Sequence, residues 1–226
     1  MYVYRLAPIP VHTSGVSSLR KTVHMVECCD MQVVGFIHSK GGVGKTTLAI
    51  MTALCLSREG HAVIVFDSDP QGSASRWAQR AADSGKPLPF EVRSTPSPES
   101  LRTEAAKGGV DIAVIDSPPG TPAVMDAAIE LVDLALIPSG ASPMDIDRVW
   151  PTMYLLAHRP TAVVLNAIDA RETLSSVARE VLEGEGIPVA EAIIPVRAAT
   201  RRAFGTTPAP AEHYKALADE ILEALV

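Results

Sequence analysis

The sequence predicts a single α/β domain, a mostly parallel twisted sheet with helices on both faces. Three observations predict it. Short apolar runs rich in Val and Ile alternate with helical stretches from residue 33 onward, as the strands of a sheet buried on both faces do. Several runs end in a carboxylate or amide, among them Asp67, Asp116 and Asn166, and strand C-terminal ends are where open parallel sheets bind ligands. A glycine-rich loop, Ser39-Lys40-Gly41-Gly42-Val43-Gly44-Lys45-Thr46-Thr47, stands between the first run and the first helix. With 226 residues the chain can bury a sizeable core in one such domain.

Each element carries its own reason. Val33-Val34-Gly35-Phe36-Ile37 is the first buried strand, and Leu48-Ala49-Ile50-Met51 opens the first helix. Between them, glycine lets backbone N–H groups approach a polyphosphate with no Cβ in the way. The helix start near Lys45 adds unpaired N–H groups and the positive end of its dipole. Lys45 supplies a mobile charge for the terminal phosphates, and the Thr46 hydroxyl suits Mg²⁺. Gly41, Gly42, Val43, Gly44, Lys45, Thr46 and Thr47 are therefore candidate nucleotide-binding residues. The ordinary pattern would place glycine at position 39, where this chain has Ser39, and it does not ask for Lys40.

Gly60 is placed to end the first helix. The run 62–66 is a second strand, followed by Asp67-Ser68-Asp69-Pro70-Gln71. Two carboxylates two apart in extended chain face the same way, toward a metal-bound phosphate and its attacking water. The stretch 73–82 reads as a helix with Arg76 and Arg80 on a solvated face, 90–92 as a short strand, and 98–107 as a helix. The run 110–116 is a strand ending in an acid, the position of a metal-holding carboxylate in phosphate-loop enzymes. Runs at 132–137, 161–166 and 187–194 complete the sheet. Pro143 with Asp145 reads as a proline-started helix carrying an acid in its first turn. The last stretch, 211–226, puts Tyr214, Leu217, Ala218, Ile221, Leu222 and Leu225 on one helical stripe.

Lys-Gly-Gly-Val-Gly-Lys-Thr-Thr resembles the deviant Walker A loop of the ParA/MinD family of phosphate-loop ATPases, and Asp-Ser-Asp-Pro-Gln resembles its Walker A′ motif. The resemblance covers essentially residues 31–226 and is closest to small ParA-type partition ATPases. It implies that Lys40 reaches a partner subunit's phosphates across a nucleotide-sandwich homodimer. It makes Lys40, Lys45 and Asp69 the catalytic set, with Asp69 positioning the hydrolytic water. Thr46, Asp67 and Asp116 are the implied Mg²⁺ residues. Asn166 would meet the adenine edge, and Pro195 and Val196 would line its pocket with backbone. Ser142-Pro143-Met144-Asp145 resembles a segment near the family's dimer interface. Arg197, Arg201 and Arg202 fall where family members bind DNA without sequence preference, with Arg171 a further candidate; an exposed helix bearing three arginines is the plain alternative. The implied protein is a cytoplasmic, nucleoid-associated partition ATPase that uses ATP and Mg²⁺, with a ParA-like positioning ATPase for a protein cargo as the alternative. It would bind non-specific DNA and a ParB-type centromere-binding partner.

Composition and missing signals bound the alternatives. A formal net charge of −6 argues against coating nucleic acid all over but permits a local basic patch. Cys28, Cys29 and Cys55 have no metal or redox spacing, which fits a reduced chain and not an iron–sulfur ATPase. A MinD-like membrane switch needs a basic amphipathic tail, whereas Glu212, Asp219, Glu220 and Glu223 make the last helix acidic, so no membrane partner is expected. A metabolic ligase of the same fold would need added substrate-binding segments, and a tyrosine kinase a tyrosine-rich tail. Residues 1–30, with Pro8, Pro10 and no continuous apolar core, read as a flexible extension before the domain.

Overall fold

The computed structural model describes residues 31–169 and 173–226; the proposed extension, Cys28, Cys29 and Arg171 lie outside the described residues. The strands are β1 (Gln32–Phe36), β2 (Val63–Asp67), β3 (Glu91–Ser94), β4 (Ile112–Asp116), β5 (Leu134–Ser139), β6 (Thr161–Ile168) and β7 (Ile194–Pro195). They form one sheet in the order β3-β2-β4-β1-β5-β6-β7, and every pairing is parallel. The helices are α1 (Lys45–Arg58), α2 (Ser73–Asp83), α3 (Pro98–Ala105), α4 (Pro122–Leu131), α5 (Pro143–Asp147), α6 (Val149–Leu155), α7 (Leu174–Gly184), α8 (Ala198–Arg202) and α9 (Glu212–Ala224).

Alternation along the strands divides the core in two, because successive side chains point to opposite faces. Val34 and Phe36 of β1, Val63 and Val65 of β2, and Ile112 and Val114 of β4 face one side, where α1, α2 and α9 supply Leu48, Leu54, Trp77, Tyr214 and Leu217. Val33, Ile64, Phe66, Ala113 and Ile115 face the other, against Leu101, Met125, Val149, Ala178 and Leu182 from α3, α4, α6 and α7. The topology explains the division. The chain steps from β1 to β2 to β3 in one direction, then from β4 through β7 in the other, and right-handed crossovers send the two sets of helices to opposite faces. β1 lies at the point of reversal, flanked by β4 and β5, so the crevice opens beside its C-terminal end.

One expectation needs correction. The stretch 187–194 is not a continuous strand: Val189 makes an isolated bridge to Val163, and only Ile194–Pro195 pairs as β7. The N–H groups of Glu191 and Ala192 instead donate to the Glu220 carboxylate on α9, at 2.8 and 2.6 Å. A helix-borne carboxylate thus takes donors that a strand would have placed in the ladder. The C-terminal helix packs as its stripe predicts, with Tyr214, Leu217, Ala218 and Ile221 buried. Gly60 follows α1 with φ +100°, the left-handed conformation that its stop position requires.

Candidate functional site

The loop between β1 and α1 is built by two left-handed glycines, Gly42 (φ +77°) and Gly44 (φ +94°). At Gly44 the requirement is double. A Cβ there would lie 2.3 Å from Asn166 Nδ2, so the position needs both glycine's conformation and its missing side chain. Asn166 makes use of that proximity: its side-chain amide donates to Val43 O at 2.7 Å. A bulge between Asn166 and Ile168, with Ala167 at φ +58°, places this amide against the loop. Asn166 is therefore tied to the loop backbone through its amide, and it also lines the adjoining cavity.

Lys45 opens α1 and is 6% exposed. Its ammonium donates to Lys40 O at 2.9 Å, which closes the loop on itself. Burial holds its pKa below the ordinary lysine value, while Asp116 and Asp69 pull it back upward. Just before the loop, His38 is 1% exposed, and its Nδ1 accepts from Lys40 N–H at 3.1 Å. Burial, reinforced by Lys45 and Lys40, lowers His38 to about 4, so it is neutral at pH 7 and can accept that bond.

The acids lie beside the loop at unequal depth. Asp67 and Asp116 are register partners at the ends of β2 and β4, both buried. Asp67 Oδ2 accepts the Ser75 N–H and hydroxyl, each at 2.7 Å, so it anchors the first turn of α2. Asp67 Oδ1 and Asp116 Oδ2 have no partner. Burial raises Asp116 to about 7, opposed by a hydrogen bond with Thr46 and assisted by the charge of Asp67. Orphaned carboxylate oxygens next to a hydroxyl are an environment that a hard divalent cation would satisfy, so Mg²⁺ fits the residues present. Asp69 does not share the depth of Asp67. β2 ends at Asp67, and Asp69 sits half-buried in the following turn, its Oδ1 accepting the Gln71 N–H at 2.8 Å.

The Lys40 ammonium pairs with Asp145 of the same chain at 3.0 Å. Asp145 is fixed at the start of α5, where the Ser142 hydroxyl donates to its Oδ2 at 2.6 Å and its own N–H donates to Ser142 Oγ at 3.2 Å. The Ser142 hydroxyl, then Lys40, hold the Asp145 carboxyl below its ordinary pKa. The proline-started helix read from the sequence is thus present, and its acid grips Lys40.

Two cavities flank the loop. One, of about 350 Å³, is lined by Gly41, Lys45, Thr46, Asp69, Ser73, Pro119 and Phe204 among others, a lining that suits a polyphosphate. The other, of about 320 Å³, is lined by Val43, Gly44, Asn166, Pro195, Val196, Arg197, Arg201 and Tyr214 among others, which suits a nucleoside. Pro195 and Val196 are among the residues of this wall. Arg197 and Arg201 line this cavity as well as facing solvent, whereas Arg202 is exposed and absent from its wall. Sequence reading missed Phe204 and Tyr214. Tyr214 looked like one more member of an apolar stripe, and Phe204 had no periodic partner to mark it.

Fold, loop and paired acids define a phosphate-loop nucleotide-binding protein. The chain belongs to the CobQ/CobB/MinD/ParA nucleotide binding domain family, whose profile matches residues 34–207. It is 33% identical over 177 residues to maintenance of carboxysome distribution protein A of Gloeobacter kilaueensis, covering 76% of this chain and 80% of that protein. It is 27% identical over 235 residues to the chromosome-partitioning ATPase Soj of Thermus thermophilus, covering 84% and 94%. Among solved structures, an ATP complex of Cyanothece McdA superposes with a TM-score of 0.70 at 16% identity, covering 87% of this chain and 96% of that one. A plasmid partition protein of Borrelia burgdorferi bound to AMPPNP superposes with a TM-score of 0.69 at 17% identity, covering 86% and 98%. The chain is a ParA/MinD-type ATPase by descent, and its relatives include both partition and positioning proteins.

Proposed function

We propose that this protein is a Mg²⁺-dependent ATPase that forms a homodimer around ATP, rides on DNA without sequence preference, and positions or segregates a cargo. Hydrolysis, stimulated by a partner, releases it from the DNA. The observation that carries this reading is the shared wall of the nucleoside-side cavity, where the phosphate loop and the basic residues Arg197 and Arg201 meet. Nucleotide occupancy and a basic surface are adjacent, as a nucleotide-gated DNA contact requires.

The roles follow from the chemistry of each residue. Backbone N–H groups of Gly41 to Thr47 and the ammonium of Lys45 offset phosphate charge. Thr46 and Asp116, with Asp67 behind, would hold Mg²⁺, which spreads the charge of the transferring phosphoryl group when bound. Asp69, at the mouth of the phosphate side, orients water. Lys40 would leave Asp145 for the partner subunit's nucleotide. A ParB-type centromere-binding partner suits a DNA cargo. The similarity to a carboxysome-distribution protein favours a second version, in which the cargo is a protein assembly and the cycle is otherwise the same. Among the described residues no helix is long and apolar enough to cross a membrane.

The test is binding to random-sequence duplex DNA with ADP and then ATP, across a salt series. Binding that requires ATP and weakens steeply with salt is the expected result, since phosphate contacts release counterions. Equal binding in both states, or none, contradicts the DNA track.

A further inference from the structure

Resting on the DNA-track reading above, we propose that the surface meeting the DNA backbone is formed jointly by α2 and α8, with Arg76 and Arg80 acting alongside Arg201 and Arg202. In the sequence the two pairs lie far apart, and Arg76 and Arg80 look like an ordinary solvated helix face. The fold brings them together. The Arg80 guanidinium carbon lies 5.2 Å from the centroid of the Phe204 ring, two residues beyond Arg202. Phe204 packs on Trp77 of α2 with ring centroids 5.4 Å apart and planes tilted by 59°. Trp77 Nε1–H donates to Thr206 O at 2.7 Å. Gly205, at φ +76°, lets the segments approach so closely that a Cβ there would lie 2.8 Å from Arg80 Cβ. α2 and the chain leaving α8 are therefore one packed unit.

Charge is segregated on this unit. Arg76, Arg80, Arg201 and Arg202 are all exposed, and none has an ion pair with a carboxylate among the described residues. Arg93 pairs with Glu91 and Glu104, Arg102 with Glu130 and Arg179 with Glu183, whereas Arg58 and Arg159 are held by backbone carbonyls. A chain of net charge −6 thus leaves a group of unneutralised guanidinium groups on one patch, and a local field of that sign attracts a polyanion. Arg76 and Arg80 stand four apart on one helix face, so both can reach the same backbone track. Guanidinium forks suit phosphate oxygens. A duplex fits better than an anionic membrane, because the exposed apolar group of the patch, Phe204, has Arg80 over its ring, and α8 is too short to insert. Ser73 at the start of α2 and Phe204 both wall the phosphate-side cavity, so both halves of the surface are rooted where nucleotide state changes.

The test uses the full chain with Mg·ATP, a short random-sequence duplex and a salt series, read by fluorescence anisotropy. Arg76→Gln/Arg80→Gln should bind a fluorescent ATP analogue normally, since neither residue lines a nucleotide cavity. It should bind DNA more weakly, with the slope of log K against log salt shallower by about 1.8 for two lost phosphate contacts. Arg76→Lys/Arg80→Lys should restore the slope, and Arg102→Gln, on the other face, should leave it unchanged. A wild-type slope in the Arg76→Gln/Arg80→Gln variant, with Arg201→Gln/Arg202→Gln shallower, would confine the interface to α8 and overturn the proposal. Wild-type protein that ignores DNA in every nucleotide state would remove the underlying reading instead. Binding to phosphatidylglycerol vesicles but not to duplex would overturn the choice of partner.

Discussion

The two sides of the phosphate loop are built on opposite physical terms. On the phosphate side, Lys45, Asp67 and Asp116 are buried, two of their carboxylate oxygens have no partner, and each is held at the end of a strand or the start of a helix. On the nucleoside side the wall includes Arg197, Arg201, Val196 and Ala167, all exposed, beside half-buried Asn166 and the buried ring of Tyr214. A buried polar group is tolerated only where partners stand at fixed positions, so the phosphate side allows little exchange of residue type. Long exposed side chains meet no such demand. In the proposed cycle the phosphate side sets whether nucleotide is held, and the exposed side is free to link that event to another molecule.

The largest effect should come from removing the phosphate side's charge. Lys45→Ala is expected to weaken ATP binding by about a hundredfold or more, the value of one or more charge-assisted hydrogen bonds, read by titration calorimetry. An equal loss from Arg201→Ala would break the distinction between the two sides.

A smaller effect separates them by pH. His38 is lowered from 6.5 to about 4, so as pH falls below about 6.5 the unfolded chain takes up a proton that the folded chain refuses. The stability contributed by neutral His38 is complete above about 6.5 and is lost as pH falls toward 4, by up to about 3 kcal/mol. His38→Gln, which keeps an acceptor but does not titrate, should flatten urea-denaturation midpoints across that window. An unchanged pH profile would show that the Lys40 N–H bond to His38 Nδ1 does not depend on a neutral imidazole.

The smallest effect concerns the rim. The Lys40–Asp145 pair is partly exposed, with side chains 35% and 27% accessible, so it is worth at most about 1 kcal/mol. Asp145→Asn should free Lys40 and tighten ATP-dependent dimerisation by up to about fivefold, measured by analytical ultracentrifugation. Weaker dimerisation would mean that Asp145 serves the dimer itself.

The same contrast explains what could be read beforehand. Gly42, Gly44, Lys45 and Thr46 are legible because the loop's conformation and chemistry fix both residue type and spacing. Asp116 is legible because an apolar strand ends in it. The sheet is legible from its apolar runs, except at 187–194, where Glu220 draws the N–H groups of Glu191 and Ala192 out of the ladder from a distant helix. The hold of Asp145 on Lys40 and the stacking of Arg80 on Phe204 join residues far apart in the chain through single side chains. No local pattern encodes either contact. Asn166 stands out as a polar residue closing an apolar strand, but its amide bond to Val43 O depends on the bulge at Ala167, which no glycine or proline announces.

The central claim is a switch thrown by ATP and reset by hydrolysis at Asp69. The most direct measurement is the mass of wild-type and Asp69→Ala protein with Mg·ATP, taken alongside phosphate release. Asp69→Ala should bind ATP, remain a dimer and release phosphate far more slowly than wild type. An Asp69→Ala protein that turns over ATP at the wild-type rate, or never leaves the monomer, would contradict the account.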